Sequence, residues 1–136
     1  MTDVKRLATA ALILPFLLAG CQDDASSADR YSTGGDATDS PCARVVSSIG
    51  YAGLMLKPKG QEEAQNFEDA VIGRLSEVRG ITLQFGTRLP DSLRGAVETI
   101  EETTEGLSRN DVPRERQVAL LKRYRGAADQ IVAGCE

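Results

Sequence analysis

Cysteine and glutamate are the residues of this chain with chemistry to offer, because it contains no histidine. That absence removes the commonest acid–base group near neutral pH and the usual nitrogen ligand for metals. A di-iron bundle needs Glu-x-x-His pairs, and histidine-ligated haem fails for the same reason. Met55, the sole methionine beyond Met1, falls on a helical pattern beside the expected core. Four carboxylates, Glu98, Glu101, Glu102 and Glu105, stand close together, but without the looped spacing of a calcium site. Arg114, Arg116, Lys122, Arg123 and Arg125 make a later stretch basic. Cross-helix charge pairing is the expected use of both groups, with cation binding by the glutamates the alternative. The chain has no Gly-x-x-x-x-Gly-Lys phosphate loop and no Gly-x-Ser-x-Gly elbow. A non-enzymatic protein without metal or cofactor is the expectation.

Charge narrows the partners. The formal net charge is −4, yet Asp23, Asp24, Asp29, Asp36 and Asp39 oppose Arg30 alone within residues 22–40. The rest of the chain is therefore close to neutral. Aromatic residues make up 4% and tryptophan is missing, so neither a basic surface nor a stacking platform for nucleic acid is present.

The amino-terminal residues carry the most specific pattern. Lys5 and Arg6 precede an apolar run from Leu7 to Leu18, broken only by Thr9 and Pro15. A basic start, a short apolar core and small residues at its end describe a secretory signal, and the run is too short for a spanning helix. Its last residues, Leu18-Ala19-Gly20-Cys21, resemble the lipobox of bacterial lipoproteins. The resemblance covers residues 1–21 alone. It implies that residues 1–20 are a cleaved signal peptide and that Cys21 becomes the first mature residue, with a diacylglyceryl group on its sulfur. It also implies a location on the extracytoplasmic face of a bacterial membrane. Each buried lipid methylene is worth ~0.8 kcal/mol, so two or three acyl chains hold a domain firmly.

Residues 21–40 then form a Ser, Asp, Ala, Thr and Gly-rich tether, with Tyr31 its one large apolar side chain. Such a composition cannot offset the entropy of ordering, and its reach is ~25 Å. The domain is expected to stand off the bilayer without a fixed orientation.

Setting Cys21 aside leaves Cys42 and Cys135, one near each end of residues 41–136. Two thiolates without histidine would leave zinc under-coordinated, whereas an oxidising compartment favours a disulfide. Closing so long a loop stabilises a fold by up to ~4–5 kcal/mol in the chain-entropy model. Two separate buried thiols are the alternative.

Positioning these cysteines requires helices. Ser40-Pro41 is a helix start, followed by Val45, Ile49, Ala52, Gly53 and Leu56 at helical spacing. Glu62 and Glu63 open a second pattern carrying Phe67, Val71, Leu75, Val78, Thr82 and Phe85. A third uses Leu93, Ala96, Val97, Ile100, Thr104 and Leu107, and Asp111 is placed to cap a fourth with Leu120, Leu121, Tyr124, Ala128 and Ile131. No segment alternates in the manner of a strand. Helices of roughly 17 to 24 residues with short connections favour antiparallel neighbours. Cys42 and Cys135 meet in an up-down arrangement only if the helix count is even. An all-α, antiparallel up-down four-helix bundle over residues 41–136, closed by a disulfide between its first and last helices, satisfies both constraints. Glycines inside the patterns, at Gly50, Gly53, Gly73, Gly80, Gly95, Gly106 and Gly126, point to close helix crossings.

Three functions compete. An envelope interaction or adaptor module ranks first, and a carrier or sensor for a small apolar ligand between the helices second. An enzyme with an unfamiliar site ranks last. In the expected bundle Lys57, Lys59, Arg109 and Arg114 gather at the end away from the tether. There they could steer an acidic envelope protein or polymer.

Overall fold

A computed structural model describes residues 38–136; the signal, Cys21 and most of the tether lie outside the described residues. Four α-helices follow in order: α1 Pro41–Gly53, α2 Asp69–Phe85, α3 Arg94–Leu107 and α4 Arg114–Gly134. Single turns of 3-10 helix occur at Glu62–Ala64, Gly86–Arg88 and Asp91–Leu93, and the described residues contain no strand. α1 packs on α2, α2 on α3 and α3 on α4, while α1 touches α4 more sparsely. Cys42 and Cys135 form a disulfide with their Cα atoms 5.6 Å apart, joining the first helix to the end of the last.

Local chemistry explains most boundaries. The Ala43 N–H donates to Ser40 Oγ at 3.1 Å, and Pro41 occupies the first turn where its missing N–H costs nothing. The second helix begins at Asp69 rather than Glu62, because Gln65 and Glu68 are extended. Asp111 does not cap the fourth; Pro113 occupies that place, with its φ of −59° already preset, and its carbonyl accepts from the Gln117 N–H. α1 and α3, with 13 and 14 residues, are shorter than expected.

The apolar stripes meet in one core. Val45, Leu75, Val78, Ile100, Leu107, Leu121 and Ile131 are enclosed, and Phe67, Ile49 and Leu56 pack at its margin. Two core positions on α3 are threonines whose hydroxyls donate back into their own helix: Thr103 to the Thr99 carbonyl and Thr104 to the Ile100 carbonyl. Burial then leaves no hydroxyl unpaired there.

The glycines correct the expectation of close crossings. A Cβ at Gly50, Gly53, Gly73, Gly80, Gly95 or Gly126 would meet open space. Of the seven expected positions Gly106 is the one closely approached, by Leu120, while Gly86 and Gly134, outside that set, lie against Val97 and Leu93.

Candidate interaction surface

Among the described residues the connection between α1 and α2 is the longest between two helices, and polar side chains hold it. A turn at Pro58–Gln61 places Gly60 at a φ of 85°, a conformation that glycine adopts without penalty. Gln65, although amide-bearing, is only 2% exposed. Its Oε1 accepts from the Lys57 N–H at 2.6 Å, and its Nε2 donates to the Asn66 and Met55 carbonyls. One buried side chain thus closes the loop upon itself.

The loop also lies along α4. Lys59 pairs with Asp129, and Arg125 donates to the Lys57 carbonyl while its Nε stands 3.1 Å from Glu62. Lys122 pairs with Glu63 at 2.6 Å, and Arg114 donates to the Glu63 carbonyl with its guanidinium over the Phe67 ring. The Glu62 carboxyl is held below the usual carboxylate range by its own backbone N–H, with the Gly60 N–H and Arg125 adding to the effect against the cost of burial. Lys122 is raised, first by its hydrogen bond to Glu63.

This geometry does not gather the four expected contact cations at one end. Lys59 sits by Asp129 and Arg114 opens α4, positions separated by ~22 Å of helix. Arg109 lines a separate surface groove of about 290 Å³ with Glu102, Glu105, Asp111 and Arg116. Lys57 and Arg109 form no ion pair among the described residues. The expectation failed on the connection, which runs down the side of α4 instead of turning sharply at a bundle end.

The acidic cluster is partly absorbed by pairing. Glu102 meets Arg123 at 2.8 Å and Glu105 meets Arg79 at 3.6 Å. The Glu102 carboxyl is lowered, first by its hydrogen bond to Arg123. Among the described residues no group of three or more acidic, cysteine or histidine side chains is placed to hold a metal.

At the disulfide end, two guanidinium groups approach the Phe85 ring, Arg44 at 5.1 Å and Arg88 at 4.9 Å from its centroid. Arg44 is buried, and stacking on the ring compensates part of its lost hydration. Gln65, Glu62 and Arg44 are the polar residues that periodicity could not find, since all three occupy positions where an apolar side chain is the usual choice.

No described helix is long and apolar enough to cross a membrane. Comparison of the chain with known protein families, with curated proteins and with solved structures finds no match.

Proposed function

We propose that this protein is a lipid-anchored extracytoplasmic lipoprotein whose helical domain serves as a non-enzymatic interaction or adaptor module of the cell envelope. The observation that carries the reading is the division of its three cysteines. Cys21 follows Leu18-Ala19-Gly20 at the end of the signal pattern, while Cys42 and Cys135 are joined to each other. Disulfides persist outside the cytoplasm, so the bridge and the lipobox support one compartment.

The domain is an antiparallel up-down four-helix bundle on this reading. In support, residue numbers on facing elements run in opposite directions. Arg79 pairs with Glu105 while Gly86 lies against Val97. Glu102 pairs with Arg123 while Gly106 lies against Leu120 and Gly134 against Leu93.

An adaptor suits the packing better than a carrier. Leu75, Ile100, Leu121 and Tyr124 are each no more than 2% exposed and fill the centre where an apolar ligand would sit. Lys57 and Arg109 remain available to an acidic envelope protein or polymer. Native pull-down from detergent-solubilised membranes, with proteins and lipids analysed together, tests this reading. A protein recovered in stoichiometric amount supports the adaptor, and a lone stoichiometric lipid or other small apolar molecule would replace it with the carrier.

A further inference from the structure

We infer that the last turn of α1 and the residues just after it are a second membrane contact, an apolar tip that enters the interfacial layer of the bilayer holding Cys21. This inference rests on the lipid-anchor reading above. Among the described residues four large apolar side chains are exposed, and three are neighbours: Tyr51 is 51% exposed, Leu54 82% and Met55 39%. Spacings of three and four residues put them on one side of the helix end. The Met55 N–H donates to the Ala52 carbonyl at 3.0 Å, and the main chain of Lys57 is held by both Gln65 and Arg125. The exposed side chains therefore project from a pinned backbone.

Charge around the tip favours an anionic lipid surface as the occupant. From Ser40 to Gln61 the chain has no aspartate or glutamate; of its three charged residues Arg44 is buried and Lys59 pairs with Asp129 of α4, which leaves Lys57. The next carboxylates, Glu62 and Glu63, are engaged by Arg125 and Lys122 on α4. Lys57 has no ion pair among the described residues and follows the apolar side chains directly. In this arrangement Tyr51 suits the headgroup level, Leu54 and Met55 the acyl boundary, and the lysine stem reaches back to phosphates.

The anchor's length allows the contact. α1 carries the chain ~20 Å from Pro41 to Gly53. A polar linker of the length between Cys21 and Pro41 has a root-mean-square span of ~25 Å. The tip thus falls within reach of the same bilayer, and tethering raises its effective concentration enough for a weak insertion to persist. The bundle then lies with α1 toward the lipid instead of standing off freely.

The chain has no tryptophan, so Leu54→Trp installs a single reporter. The full-length variant is purified from membranes and reconstituted in phosphatidylglycerol–phosphatidylcholine vesicles bearing brominated acyl chains. The reference is Glu98→Trp, at an exposed position on α3, the helix that α1 does not touch. The expected result is a shift to shorter wavelength and about two-fold or greater quenching for Leu54→Trp, with the Glu98→Trp signal unchanged. Equal, unquenched emission from both variants, on protein whose intact mass includes acyl chains, overturns the tip contact and leaves the anchor standing. A shift that grows with protein concentration and ignores the bromine assigns the tip to a second copy and likewise overturns it. An intact mass without acyl chains overturns the anchor reading and this inference with it.

Discussion

Glu62 and Arg125 stand 3.1 Å apart with side chains only 6% and 15% exposed, and they tie the α1–α2 connection to the middle of α4. Every other ion pair among the described residues has at least one partner with more than a third of its side chain in water. Exposed pairs contribute little, so this pair and the buried Gln65 are what hold the connection in place.

Glu62 makes the connection sensitive to acid, first through its own backbone N–H, with the Gly60 N–H and Arg125 adding to the effect. The Glu62 carboxyl lies below its ordinary value near 4.5, so its contribution is present above that value and fades as pH falls through the lowered one. Glu62→Gln should reduce stability at neutral pH. The difference from the parent should shrink below about pH 4.5. Denaturant unfolding across pH 3 to 7 checks this, and a difference that stays constant through the acid range would remove the ionised Glu62 carboxylate from the account.

Glycine provides a test of the packing in both directions. Gly95 lies inside α3 with open space where a Cβ would stand, so Gly95→Ala should stabilise by about 0.5–1 kcal/mol. At Gly134 the Leu93 Cδ2 would lie 2.5 Å from a new Cβ, and Gly134→Ala should destabilise by about 1–3 kcal/mol. Opposite signs in thermal unfolding are expected. Equal and favourable effects would mean that Leu93 yields at no cost.

Much of this fold is legible in the chain because a helix buries one face at a fixed period. The stripes Val71-Leu75-Val78-Thr82 on α2 and Ala96-Val97-Ile100-Thr104-Leu107 on α3 are all buried, and the Cys42–Cys135 bridge matches the pairing expected from the position of the two cysteines. The connection was not legible. Gln65 acts on the main chain of Lys57, Met55 and Asn66, and such bonds leave no periodic trace in side-chain type. Of the four candidate contact cations, Arg114 is consumed by Glu63 and Phe67 and Lys59 by Asp129. Only folding the loop along α4 reveals that. Leu54 stands off the Val45-Ile49-Ala52-Leu56 stripe that starts on α1, and the structure leaves it exposed.

Tyr124 should tolerate loss of its hydroxyl. The side chain is 2% exposed, and its hydroxyl has no hydrogen-bond partner among the described residues. Burial raises its ionisation well above the ordinary phenol value. An unpaired buried hydroxyl costs about 1–3 kcal/mol, so Tyr124→Phe should be neutral or stabilising by up to about that much. Absorbance titration should show Tyr124 resisting ionisation until the fold is lost. A destabilised Tyr124→Phe would reveal a partner for the hydroxyl.

The disulfide should matter most to the unfolded chain. Replacing Cys42 and Cys135 together by serine should leave the helical content intact and lower stability by about 2–5 kcal/mol. Circular dichroism with denaturant melts reads both quantities. Non-reducing peptide mapping of protein taken directly from the envelope should recover the two cysteines in one linked species, and two free thiols there would count against the proposed compartment.

Fatty-acid labelling at Cys21 tests the central claim most directly. Cells producing the full-length chain, or the chain with Cys21→Ser, are grown with a labelled fatty acid, and the protein is recovered through its carboxyl-terminal end. The account predicts label on the parent and none on the variant, with Cys21 as the first residue of the mature, membrane-bound parent. Equal labelling of the two, or an unlabelled parent that retains residues 1–20, would contradict it.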